Sequence, residues 1–294
     1  MFEPFLGTSE IIDNLMKFLF FKLYEKEMTI TEFRMQKLIF KIKMELGKNH
    51  MLFDKLPYYW YFHGPFSEVV RDSFRDISAN HCNSKYNSFI LKEGNDDFEN
   101  NDLLSSYPVI KKITNNILNN KTEFYNNLIE SIYMDYAPYP LMHSFKYVIY
   151  KTADENRTSQ NFDVEKYIST FYECETQLPE DEYFNDFSDI YSQLLTNLDL
   201  INDEGMFDDC WLFLRDPIKE LWETFASGLR VIFKDNYYDY KEYIWHKEFR
   251  DKVNTLSILV NKTEQYTNGE FKPIQYNSSE RDILNSTIGT YLRR

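Results

Sequence analysis

Five cations crowd one stretch of this chain, and their spacing is the first sign of possible chemistry. Within Glu32–Leu46, Arg34, Lys37 and Lys41 stand three and four apart, so a helix there carries them on one face with Lys43 and Lys48 nearby. Such a face suits phosphate, and a basic helix that follows another helix and a turn is how a helix-turn-helix presents its recognition element. The plainer reading is a solvated face. A second candidate is His63-Gly64-Pro65-Phe66-Ser67. His63 and Ser67 invite a base-and-nucleophile reading, yet the G-x-S-x-G elbow is missing and no third residue is marked out to orient the histidine. In the plainer reading Gly64 supplies a permissive turn, Pro65 fixes the backbone, Ser67 caps the next helix and His63 covers an aromatic cluster.

The remaining chemistry-bearing residues assemble nothing. His50, His63, His81, His143 and His246 are never paired at metal-ligand spacing, and Asp208-Asp209 and Glu180-Asp181-Glu182 lack the alternating oxygens and glycine of a calcium loop. There is no Walker loop, no G-x-G-x-x-G, no H-E-x-x-H and no kinase set. No metal, no cofactor and no catalytic set are therefore expected, and the chain reads as a binding protein without an enzyme activity. Cys82, Cys174 and Cys210 are odd in number and far apart, which predicts three reduced thiols.

Composition bounds the setting. Of 294 residues 43% are hydrophobic and 18% aromatic, against 8 Gly and 9 Pro, a mixture that folds and favours helices. The formal charge of −14 argues against coating nucleic acid through the whole surface. The first residues lack the basic start and apolar core of a secretory signal, and Ile11 to Tyr24 is interrupted by Asp13, Asn14, Lys17 and Lys22. The expectation is a cytoplasmic protein with no membrane segment. Between Ala153 and Cys210 sixteen acidic residues face only Arg157 and Lys166, so this segment carries the whole imbalance. It begins in the polar run Thr152 to Asp163, which predicts a boundary between a unit of residues 1–152 and an acidic unit of residues 164–294.

The elements follow from apolar spacing. Helices are predicted at Ser9 to Glu27, with Ser9 as cap, at Glu32 to Leu46, capped by Thr31 and ended by Gly47, and from about Phe66 to Ile77. Pro57 to Phe62 reads as a short strand entering a turn. Asn80 to Asn101 reads as a loop. Further helices are predicted at Tyr107 to Asn119, Lys121 to Tyr133, Leu141 to Tyr150, Val164 to Glu175, Tyr183 to Leu200, Asp208 to Arg215, Pro217 to Phe233 and Tyr240 to Leu259, with an irregular tail after Thr263. The fold class is mainly α: a helical N-terminal module with a short strand and turn, followed by a second helical unit.

Met35-Gln36-Lys37-Leu38-Ile39-Phe40, the aromatic strand and Gly64-Pro65-Phe66-Ser67 together resemble the Panacea, or SocA-like antitoxin, domain, in the same order and over the N-terminal half only. The usual W-x-x-G-P turn is here Trp60 to Pro65, with two residues before His63. The resemblance implies a compact helical module that binds another protein, commonly as the neutralising partner of a toxin or as a phage- or mobile-element-associated protein. On this reading Tyr59, Trp60, His63 and Phe66 contact a toxin-like or regulatory partner. The alternative is a DNA-binding regulator that uses residues 32–46, with Arg34, Lys37 and Lys41 on nucleic acid.

Overall fold

The computed structural model describes residues 7–93, 98, 108–155 and 162–267. Among them the chain forms ten helices and only two small antiparallel sheets of two strands each, a mainly α fold. Helix α1 (Thr8–Glu25) buries Ile11, Ile12, Leu15, Met16, Phe18 and Leu19, and starts one residue ahead of Ser9, so Gly7 and not Ser9 holds the cap position. Helix α2 (Glu32–Leu46) has the predicted bounds: the Thr31 hydroxyl accepts from the Arg34 N–H at 3.2 Å, and Gly47 ends it at φ 77°. Strands β1 (Tyr59–Tyr61) and β2 (Gly64–Phe66) form a hairpin with Trp60 opposite Pro65. Helix α3 (Glu68–His81) follows, with the Ser67 hydroxyl accepting from the Val70 N–H.

The segment predicted as a loop holds a second hairpin, β3 (Cys82–Lys85) and β4 (Ser88–Leu91). Its turn residues Tyr86 and Asn87 both take positive φ, 52° and 60°, the left-handed pair that lets a two-residue turn match strand twist. Phe89 exchanges backbone hydrogen bonds with Ile30 at 3.0 and 2.9 Å, which fastens this hairpin to the turn before α2. Residues 94–97 and 99–101 of the predicted loop lie outside the described residues.

Helices α4 (Pro108–Leu118) and α5 (Lys121–Tyr136) pack on α2. Leu141–Ser144, a π-helical stretch Phe145–Tyr150 and Lys151–Asp154 run on as one helix, α6. Then come α7 (Val164–Glu175), a 3₁₀ turn at Glu182–Phe184, α8 (Asn185–Asp203), α9 (Phe207–Ile232), a 3₁₀ turn at Asn236–Lys241 and α10 (Glu242–Thr267). The two helices predicted at 208–215 and 217–233 are one. Pro217 lacks an N–H and crowds the carbonyl one turn back, but Leu214, Ile218 and Leu221 are buried on either side of it, and that packing carries α9 through. The predicted irregular tail beyond residue 267 lies outside the described residues.

One hydrophobic cluster runs from Ile11 in α1 to Val260 in α10, across the polar connection at 152–163. Backbone bonds stitch the halves together: the Trp60 N–H donates to the Phe233 carbonyl (3.0 Å) and the Asp235 N–H to the Tyr58 carbonyl (2.8 Å), so residues 233–235 lie along β1. The buried Lys43 ammonium pairs with the Asp235 carboxylate at 2.7 Å. Trp222 of α9 packs edge-on against Phe145 of α6 and donates its indole N–H to the Phe62 carbonyl at 3.1 Å.

Candidate functional site

The two motifs singled out in α2 and at the β1–β2 turn bond to each other. The Gln36 side-chain amide donates to the Ser67 carbonyl (2.8 Å) and accepts from the Ser67 N–H (3.0 Å), while the Lys37 ammonium donates to the Pro65 carbonyl at 2.7 Å. Gly64 sits at φ 88°, and a Cβ on it would stand 3.3 Å from the Tyr133 hydroxyl and 3.4 Å from Lys37 Nζ. The turn therefore needs glycine both for its backbone and for the closeness of these two polar groups.

Four titratable side chains from three helices and the turn meet here. Lys37 is 1% exposed. Burial, then the like charge of Lys146, lowers its pKa to about 7. Lys146 comes from the π-helical part of α6, where an altered helical period re-aims side chains. Its ammonium lies 3.8 Å from the Tyr150 ring centroid, 4.2 Å from that of Phe62 and 5.2 Å from that of Trp222, an aromatic box. Burial lowers the Lys146 pKa to about 8, against the pull of Asp154 and Glu223. The Lys146 ammonium and the buried Tyr133 hydroxyl have no hydrogen-bond partner among the described residues. His63 faces solvent on one side and meets Phe62 edge-on at 4.5 Å. Partial burial, then Lys146 and Lys37, hold its imidazole at about 4, so it is neutral at pH 7.

The opposite face of the hairpin is aromatic, with its charged groups held in pairs. Tyr59 packs against Tyr238 (4.8 Å) and Trp245 (4.7 Å), forming a second small core with Val231. Above it the 3₁₀ turn and the start of α10 leave large side chains in solvent: Tyr240 is 69% and Tyr243 78% exposed, with Tyr237 and Ile244 exposed beside them. Arg230 lies over both Tyr61 and Trp245 and pairs with Glu248, and Lys241 pairs with Glu68.

The sequence candidates are distributed unevenly over this geometry. Tyr59 and Trp60, expected on a partner surface, are each 6% exposed and belong to the interior, because both faces of β1 are covered. His63 is exposed, and Phe66 is half-buried against Tyr59. The predicted basic face is not assembled, because α2 packs on α5 along that side. Lys37 is interior, the Arg34 guanidinium donates to the Tyr125 carbonyl (3.0 Å), and the Lys41 ammonium donates to the Ser131 hydroxyl (3.2 Å). A cleft of about 210 Å³ beside Lys41, edged by Asn116, Asn120 and Glu123, shares no lining residue with the hairpin. Sequence reasoning passed over Lys146, Tyr133, Tyr240 and Tyr243. Their signals were a lone lysine in an aromatic stretch between Lys121 and Lys151, and tyrosines three apart at 237, 240 and 243.

No protein-family model matches the chain, and searches of curated proteins and of solved structures find no match either. Among the described residues no group of His, Cys, Asp and Glu is placed to hold a metal ion. No described helix is long and apolar enough to cross a membrane.

Proposed function

We propose that the chain is a non-catalytic protein-binding module, of the antitoxin-like kind that its resemblance to the Panacea domain implies, and that it docks a basic protein on the tyrosine shelf. The observation that carries this reading is the concentration of large apolar side chains left in solvent between Tyr237 and Ile244. Exposed tyrosines suit docking because they bury much area for little lost rotamer freedom. Charge points to the kind of partner: with a net −14 and exposed Glu165, Glu173, Asp186, Asp189 and Asp203 on α7 and α8, the surface field attracts cations. The burial of Cys82, Cys174 and Cys210 accords with a reducing, cytoplasmic setting. The nucleic-acid alternative has less support, since Arg34, Lys37 and Lys41 are all engaged internally.

The test is co-expression with the product of the adjacent reading frame, comparing the native chain with the double variant Tyr240→Ala/Tyr243→Ala. A complex that weakens with salt and loses roughly thirtyfold or more in affinity in the variant, at unchanged circular dichroism, is expected. Equal affinity of both proteins for that product overturns the assignment of the shelf.

A further inference from the structure

The amine cluster beneath the hairpin turn plays no part in docking on the tyrosine shelf and stands independently of that reading. Three observations converge on it. The Lys146 ammonium and the Tyr133 hydroxyl are enclosed without a hydrogen-bond partner among the described residues, which is rare for buried polar groups. Lys37 is interior and meets only neutral partners, the Pro65 carbonyl and the Phe33 ring at 4.8 Å, so no opposite charge offsets its own. Lys146 also rises from a π-helical stretch, a distortion that recurs at functional sites.

From this juxtaposition we infer that the turn is a binding site for a compact oxyanion, a carboxylate or a phosphate, held between the His63 edge and the Lys146 and Lys37 ammonium groups. His63 is exposed and marks the entrance. Binding at that entrance requires the half-buried Lys146 side chain to turn its ammonium away from the Phe62 and Tyr150 rings and toward the anion. A neutral imidazole and the Tyr133 hydroxyl supply further donors. The anion relieves the repulsion between two like charges and gives each ammonium a charge-assisted bond.

The acids that act on this spot do not take the anion's place. Asp154 is tied to Lys219 at 2.9 Å, and Glu223 to Lys252 at 3.1 Å. The phenols Tyr133, Tyr147 and Tyr150 all have raised pKa values and stay neutral. Binding therefore draws protons onto the two lysines, and affinity falls as pH rises through the range where they lose them.

The test titrates the whole chain calorimetrically with inorganic phosphate and with sodium acetate, ionic strength held by sodium chloride. Saturable one-site binding of at least one probe at pH 7, with proton uptake, is expected. Acetate alone assigns the site to carboxylates and phosphate alone to phosphates, and either result supports it. Affinity should fall at least about tenfold between pH 7 and 9.5 as the lysines deprotonate. Lys146→Met should weaken binding by a similar factor. His63→Gln, at an exposed position that leaves the core intact, should weaken it about threefold. Lys151→Met, on the outside of the same helix, and the Tyr240→Ala/Tyr243→Ala variant should leave it unchanged. No saturable binding of either probe, or affinities untouched by both Lys146→Met and His63→Gln, overturns the site.

Discussion

Lys37 gives the stability of the whole chain a pH dependence that can be worked out in advance. Its pKa drops from 10.5 when unfolded to about 7 when folded. A base that holds its proton less tightly in the folded state opposes folding wherever the unfolded chain is protonated. The penalty is complete below about pH 7 and vanishes only above the unfolded pKa. Each tenfold loss of proton affinity is worth about 1.4 kcal/mol, so the penalty amounts to about 4 kcal/mol at pH 7 and about 2 kcal/mol at pH 9. Stability should therefore rise by about 2 kcal/mol across that interval from Lys37 alone, and Lys146 adds in the same direction. Above pH 9 the raised pKa values of Cys82 and Cys174, both about 12, act in the opposite sense, so the window closes there. Lys37→Met keeps the apolar stem and removes the charge. Urea unfolding of the full chain, followed by tryptophan fluorescence at pH 7, 8 and 9, reads the difference. The variant should show a rise smaller by about 2 kcal/mol, and at pH 7 it should be no less stable, since the lost bond to the Pro65 carbonyl is worth about 1 kcal/mol. Equal slopes in the two proteins would refute the argument that an uncompensated interior ammonium sits under the turn.

Two further substitutions probe the packing that holds this region. A Cβ at Gly228 in α9 would stand 2.6 Å from a ring carbon of Phe184 and 2.9 Å from one of Phe249, so Gly228→Ala should destabilise by about 1–3 kcal/mol in chemical denaturation, overriding the gain in helix propensity of about 1 kcal/mol. An increase in stability would mean that the packing of α9 against α10 and the 3₁₀ turn before α8 is looser than these distances require. Asp235→Asn leaves the buried Lys43 ammonium without its carboxylate and should cost about 2–4 kcal/mol in the same assay, whereas a loss below about 0.5 kcal/mol would show that the pair does not join the halves.

Local signals predicted the helices well wherever local chemistry decides them. Thr31 and Gly47 bracket α2, and Asp163 caps α7 at Val164, both with the bounds that capping and spacing require. The misses have one cause in common, which is that distant packing overruled the local rule. Pro217 reads as a helix start, but the apolar residues on both sides of it are buried in one continuous wall. The β3–β4 hairpin turns on Tyr86-Asn87, without the glycine that announces such turns, and is held by Ile30 from far upstream. At the candidate site, a helical wheel places Lys37 on a basic face. Only the arrival of α5 and the Gly64 turn shows that this face points inward. Lys146 lies 109 positions from Lys37, and no spacing rule within one helix connects them.

The two proposed sites, one cationic and one aromatic, lie a few residues apart, and the short strand β1 explains how both fit. Side chains alternate faces along a strand. Tyr59 and Tyr61 point to the shelf, where they meet Tyr238, Trp245 and Arg230. Trp60 and Phe62 point the other way, to Tyr133 and to the Tyr150 and Lys146 pair. Three residues and their neighbour thus wall the cationic turn off from the aromatic surface. The same burial lowers the positive charge of the molecule: Lys37, with a pKa of about 7, is only partly ionised at neutral pH. The net charge at neutral pH is therefore slightly more negative than the formal −14. Exposed charges are screened over about 8–10 Å at physiological salt, so the long-range field of the acids steers an approaching protein mainly at low salt, while a small anion that reaches His63 meets the two lysines directly. The two proposals therefore involve opposite faces of β1, which is why substitutions on one face are the right controls for binding at the other.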